Sequence, residues 1–276
     1  MSWFHGVPIL MYHEVAEARE VDRLARLTQR GYIVLRDIFE RQMAELSALG
    51  FNAISLHQLR DWARLGTPLP PNPVVITFDD GFAGNFHHAL PALIAHGFTA
   101  TFFVVTNRVN DVDMLSWSNL RAMHREGMAI ESHTANHPLL SGVGADRTRH
   151  ELVTSKHKIE DVLGSEVAFV SLPNGDSNEH YLHIAQTAGY AGGCGSQFGL
   201  NQQSTDCYFW RRIAIKQTLS VEAFRSIVTR QASAMMRNAA LAVGKRAIAR
   251  ALGKERYDRL YNHVFGVQEQ DKSKQG

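Results

Sequence analysis

The sequence predicts an α/β fold in which parallel βα units close, or nearly close, into a barrel followed by a C-terminal helical tail. Three observations predict it. Strand-like and helix-like patterns alternate over about 230 of the 276 residues, a length suited to one α/β barrel. Polar clusters stand directly after the strand runs, in "YHE", "TFDDG", "ESHTANHP" and "SLPNG", where such barrels carry their chemistry. From Met236 to Leu260 the composition turns basic, with Leu241, Ile248 and Leu252 on a helical stripe. The division that follows is a barrel over 1–230 and a basic helical tail over 231–276, with "QEQDKSKQG" at its end expected to be disordered.

Each element has its own reason. Val7–Tyr12 is an apolar run in which Pro8 lies at a tolerated strand start. Asp37 is placed to cap a helix through Leu49, with Phe39, Met43, Leu46 and Leu49 at helical spacing and Gly50 ending it. Asn52–Leu56 is short and strand-like, and Leu56–Leu65 is helical up to Gly66. "GTPLPPNP" is a connection. Val74–Phe78 is continuously apolar or β-branched, as expected of a strand covered on both faces. A helix over 85–95 carries Pro91 as a kink. Thr99–Val105 and Met128–Ser132 are strands, separated by a helix that starts at Ser116 or Ser118. Arg147–Leu163 is a helix, Ala168–Ser171 a strand and Glu179–Ala188 a helix.

Composition narrows the function classes. Hydrophobic residues are 45% and charged residues 20%, ordinary for a globular chain. A formal charge of +2 without aromatic-basic interleaving argues against nucleic acid. Cys194 and Cys207 form neither a disulfide framework nor a CxxC metal site. No stretch reaches the roughly 18 apolar residues of a membrane span. The N-terminal "MSWFHGVPILMYHE" lacks a basic leader region, so the expected location is cytoplasmic. The tail reads as a helix packed on the barrel with a solvated basic face, or as one making peripheral membrane contact.

Two clusters carry chemistry. In "VVITFDDG" two adjacent carboxylates, Asp79 and Asp80, leave a buried strand. Neighbours leaving a strand point in different directions, so the two can serve one site in two roles; Asp-Gly turn chemistry is the plainer alternative. In "ESHTANHP", His133 and His137 are four apart and on a helical turn would share a face and grip one cation. Two unrelated loop histidines are the alternative in a chain with 14. Two histidines and a carboxylate form a ligand set for zinc and other divalent ions. With Asp80 as that carboxylate, Asp79 stays free to take a proton from a metal-bound water.

These two motifs, in this order and separation, resemble those of the polysaccharide deacetylases of the NodB-homology type, carbohydrate esterase family 4. The resemblance spans roughly residues 5–230 and includes "ILMYHEV", "FERQMAELSALGF", "ALPALIAHGFTATFFV", "LSWSNLRAMHREGM", "SLPNGDSN" and "RRIAI". It implies a distorted (β/α) barrel, one divalent metal, Zn2+ by default, and hydrolysis of an N-acetyl group from a glycan. Asp79 would be the general base, and Asp80, His133 and His137 the metal ligands.

Two departures stand out. The family's third motif commonly reads Arg-Pro-Pro-aromatic-Gly, whereas here it is Ser171-Leu172-Pro173-Asn174-Gly175. The arginine that braces the base is missing, and Arg211 or Arg212 is the candidate replacement. Pro173 still shapes a turn, and the backbone N–H of Asn174 can hold an oxyanion. The family's late Leu-x-His strand, source of the general acid, has no counterpart after residue 200; His263 lies in the tail. A departing amine needs a proton. "ILMYHEV", an apolar strand ending in histidine, resembles the missing motif moved to the front, as in exopolysaccharide deacetylases with a permuted motif order. His13 is then the expected acid, and a second-shell or structural histidine the alternative. Trp117 and Tyr12 are candidates to stack on a sugar ring, with core packing the alternative.

The expected activity is metal-dependent N-deacetylation of an N-acetylated polysaccharide or oligosaccharide. Two readings compete: an esterase or small-amide hydrolase with the same metal site, and a catalytically inactive glycan-binding barrel. Asp79→Asn and His133→Ala are expected to abolish acetate release in a chain that stays folded.

Overall fold

A computed structural model describes residues 6–231, 233–241 and 244. The strands are β1 (Ile9–Tyr12), β2 (Glu14–Ala16), β3 (Ile33–Leu35), β4 (Asn52–Ala53), β5 (Pro73–Phe78), β6 (Thr101–Val104), β7 (Ala129–Ser132), β8 (Phe169–Ser171), β9 (Gly192–Cys194) and β10 (Ile213–Ala214). The helices are α1 (Val21–Leu24), α2 (Arg36–Ala48), α3 (Leu56–Leu65), α4 (Leu90–Ala95), α5 (Trp117–Arg125), α6 (Ala145–Leu163), α7 (Tyr181–Thr187) and α8 (Val221–Val228).

The main sheet runs β10-β1-β5-β6-β7-β8-β9, every pairing parallel, with β4 added beside β5. It curls into a (β/α) barrel with helices outside. Its seam is bridged where Cys194 pairs with Trp210, on the run entering β10. The N-terminal strand β1 therefore lies between β5 and the last strand, β10. A separate pair, β2 and β3, frames residues 17–32.

The buried faces follow the sequence pattern. On α2, Phe39, Met43 and Leu46 are fully buried. Phe39 packs against the aromatic row Tyr12–Phe78–Phe102, whose neighbouring rings stack at 5.3 and 4.6 Å. Tyr12 is thus a core residue: its ring is 0% exposed and its hydroxyl donates to Gln42 at 2.8 Å. It cannot stack on a sugar, because side chains alternate across a strand and Tyr12 faces the helix layer.

Several local expectations are corrected. Leu35, not Asp37, is the cap position of α2. Ser116 caps α5 through a reciprocal pair with Asn119. The helix over 85–95 begins as a π-turn, Asn85–Ala89, before α4, and this wider turn places Pro91 in the first turn of α4, where a missing N–H is harmless. The strands β2, β3, β9 and β10, and the helices α1 and α8, were not foreseen. The tail is helical at 233–241; its remaining basic residues, His263 and the last residues lie outside the described residues. No described helix is long and apolar enough to cross a membrane.

Beside His13, Glu14 is 1% exposed. One carboxyl oxygen accepts the Val15 N–H at 2.8 Å; the other is buried without a partner. Burial pushes this carboxyl up to about 8, against the pull of the Val15 and Gly84 amides. Gly84 leaves it room, since a Cβ there would meet Glu14 Oε1 at 2.2 Å and Val15 O at 2.0 Å. The folded chain therefore holds a proton on Glu14 that the unfolded chain loses near pH 4.5. The stability contributed by Glu14 therefore falls as pH rises between these values and levels off above them, by up to ~1.4 kcal/mol per pH unit. Glu14→Gln is expected to flatten this slope by one proton's share, leaving that of Glu131, also pushed to about 8 by burial. Denaturant unfolding of both proteins at pH 5, 6.5 and 8 reads it, and equal slopes would refute the protonated assignment.

Candidate active site

Parallel register brings the site together. Tyr12 of β1 pairs with Phe78 of β5, and the Asp79 N–H donates to Tyr12 O at 3.0 Å. The next residues, His13 and Asp79, therefore leave neighbouring strands at one level. His133 follows β7, its N–H bonded to Val104 O at 2.9 Å. His13, Asp79, Asp80, His133 and His137 all line one cavity of about 390 Å³.

The adjacent carboxylates diverge. Asp79 turns into the barrel and is 3% exposed. Its two oxygens each accept from Arg212 at 2.7 Å, and Oδ2 also accepts the Ser171 hydroxyl at 3.1 Å. Burial alone would raise this carboxyl, but the Arg212 guanidinium and His133 outweigh it and hold Asp79 below the usual range. Arg212, 1% exposed, spends its other donors on Gly195 O at 2.7 Å and the Ser171 hydroxyl at 2.8 Å. The missing third-motif arginine is thus replaced from the strand entry at β10, by the second of the two candidates; Arg211 is exposed. The signal was present in "FWRRI", where only one of two neighbouring arginines can point inward.

Asp80 turns toward the histidines. Its Oδ1 lies 3.3 Å from His133 Nε2 and 3.4 Å from His137 Nε2, and the three ligand atoms lie within 4.8 Å of one another. Burial opposes the Asp80 charge, but the His133 hydrogen bond prevails and holds the carboxyl well below its ordinary value. His133 Nδ1 lies 2.8 Å from Ser171 O. A carbonyl only accepts, so Nδ1 carries a hydrogen and Nε2 is the atom turned toward Asp80; burial works against the imidazolium, but Asp79 and Asp80 outweigh it and hold His133 above its ordinary value. Burial, with His133 nearby, pushes His137 down to about 4, so His137 is neutral, the form that ligates metals. This donor set fits one divalent cation.

The histidines do not share a helical face. They sit in the loop after β7, and left-handed backbone at Thr134 (φ 65°) and His137 (φ 60°) turns them together. The Thr134 hydroxyl accepts the His137 N–H at 2.9 Å. Asp80 (φ 74°) and Asn174 (φ 55°) are left-handed as well, so four strained positions surround one cavity.

His13 stands on the β1 side, its ring 4.3 Å from that of Tyr32. Its Nδ1 is buried without a hydrogen-bond partner, and Asn85 Nδ2 holds its carbonyl at 2.7 Å. Burial lowers its pKa, partly offset by Asp80 and Asp79. Asn174 lines the cavity; Pro173 is buried in the turn behind it. Trp117, at the start of α5, packs partly buried against the core and is not among the cavity-lining residues. Sequence reasoning missed Ser171, which serves both Asp79 and His133, and the cavity wall of Arg26, Thr28, Gln29, Tyr32 and Arg108. Nothing in the residue types of residues 17–32 marks them as part of a site.

Comparison with known proteins comes to the same frame. The family model described as polysaccharide deacetylase matches residues 66–193. The Bacillus subtilis (strain 168) protein YxkH, named for polysaccharide deacetylation, is 26% identical over 222 residues, covering 80% of this chain and 76% of its own. The poly-β-1,6-N-acetyl-D-glucosamine N-deacetylase of Staphylococcus aureus (strain MSSA476) is 24% identical over 242 residues, 80% of this chain and 81% of its own. Among solved structures, the Streptococcus pyogenes deacetylase PplD in complex with acetate superposes with a TM-score of 0.72 at 25% identity, over 79% of this chain and 96% of that one.

Proposed function

We propose, for a chain that belongs to the polysaccharide deacetylase family, that it is a metal-dependent hydrolase releasing acetate from an N-acetylated glycan, with Asp79 as base and His13 as acid. The observation that carries this is one cavity lined by a braced carboxylate, a three-ligand cluster and a further histidine, His13.

Asp80, His133 and His137 would hold the cation. Bound there, a divalent ion supplies Lewis-acid polarisation of the acetyl carbonyl and of water. The chain's own residues do the rest. Asp79, ionised by Arg212, takes the proton of the attacking water. The Asn174 backbone N–H, at the cavity wall, meets the charge developing on the acetyl oxygen. His13 gives the departing amine its proton, with Tyr32 packed on its ring to hold it in place. Arg212 also answers the observation that favoured an inactive barrel, since Asp79 is braced without the third-motif arginine.

His13→Ala is expected to cut kcat for acetate release from an N-acetylated oligosaccharide by about 10²–10⁴. On an aryl acetate the loss should be much smaller, because a weakly basic aryloxide leaves without first taking a proton. A loss under about tenfold on the amide would remove His13 from the acid role.

A further inference from the structure

The cavity holds two positive charges that the reaction does not use. Arg108 and Arg26 both line it. Arg108, half-buried on the loop between β6 and α5, lies with its guanidinium over the Phe82 ring, 5.9 Å from the centroid. Arg26, exposed, follows α1 in the segment framed by β2 and β3. An ion pair between Arg23 and Asp113 fastens the two carrying segments to each other. Neither Arg26 nor Arg108 has a carboxylate partner among the described residues.

The cavity's acids are both committed. Asp79 is neutralised by Arg212, and Asp80 faces the two histidines. Thr28, Gln29, Asn174 and Ser196 also line the cavity, polar groups of the kind that meet sugar hydroxyls. The arginines therefore leave the mouth with an unanswered positive field, and a guanidinium parked on a ring keeps its fork free for a planar anion.

Resting on the deacetylase reading above, we propose that the preferred glycan is anionic: a carboxylate or sulfate on the reacting or adjacent sugar sits against Arg108 and Arg26. These arginines then set specificity, and the field they raise steers the polymer to the mouth.

The test compares a neutral chitotetraose with a hyaluronan tetrasaccharide, which bears carboxylates, and a 6-O-sulfated N-acetylglucosamine oligomer. Acetate release and calorimetric binding are both measured. At low ionic strength the better anionic substrate should show kcat/KM at least about tenfold above the neutral one, carried mainly by KM. Screening should shrink that ratio toward one in 0.5 M salt, as should Arg108→Gln and, more weakly, Arg26→Gln. Arg125→Gln removes the same charge from the exposed end of α5 and should keep the ratio. Which anion wins identifies carboxylate or sulfate. A wild-type ratio near or below one, or a preference that survives both substitutions, overturns the proposal and leaves the deacetylase reading standing. If no oligosaccharide releases acetate, that reading fails instead; binding then decides, tighter arginine-dependent binding of an anionic oligomer supporting the proposal and equal binding refuting it.

Discussion

Asp79→Asn is expected to slow acetate release by about 10²–10⁴ and, in the same protein, to lower folding stability by about 3–5 kcal/mol. The two effects share one cause. Asp79 is the countercharge of Arg212, which is 1% exposed and bound to it through two 2.7 Å contacts. Removing the negative charge strands a buried guanidinium, which costs far more than the pair itself is worth. The sequence alone predicts that such a variant stays folded; the buried pair adds that it does so with less stability. The discriminating protein is the double variant Asp79→Asn with Arg212→Met. It should recover most of the lost stability and none of the activity. If Asp79→Asn released acetate at the wild-type rate, the base assignment would fall; if the double variant were no more stable than the single, the ion-pair account would.

Removal of divalent ions is expected to stop acetate release, and Zn2+ to restore it. His133→Ala should not be restored at the ion concentration that saturates the wild type. Losing even an outer partner of a ligand costs about 10–100-fold in metal affinity, and His133 Nε2 is one of three converging donor atoms. The measurement is metal content by elemental analysis beside acetate release. Full activity in protein shown to be metal-free would sink the ligand assignment.

How much of this was legible depended on how each residue does its work. The long strands were readable because burial on both faces leaves an uninterrupted apolar run, as in Val74–Phe78. The end of the helix Leu56–Leu65 was legible because Gly66 marks it. The strand β9 was not readable: Gly192 and Gly193 have no strand preference and are glycine for space. A Cβ at Gly193 would meet the Tyr181 hydroxyl at 2.2 Å, and one at Gly192 the Cys207 carbonyl at 2.6 Å. Of the site, the acids and histidines stood out because each motif is local. The brace was legible only as a choice between Arg211 and Arg212, because Arg212 lies 133 residues from Asp79 and only the sheet order joins them. Ser171 looked like a loss because its charge was compared with that of an arginine; its carbonyl and hydroxyl do the work instead.

The place of β1 between β5 and β10 bears on how the protein comes into being. A ribosome releases the chain from its N-terminus, so the two carboxylates and both ligating histidines emerge well before Arg212. Until that arginine arrives, the slot beside β1 is open and Asp79 has no countercharge, a state in which burial would keep its carboxyl protonated. The nascent barrel can gather Asp80, His133 and His137 early, yet Asp79, the proposed base, gains its countercharge only when β10 docks against β1. Such pairing of distant segments closes late and slowly. On the proposed mechanism, hydrolytic competence therefore waits on Arg212, and a product cut short before that residue would carry the acids and histidines of the site without the charge that sets Asp79.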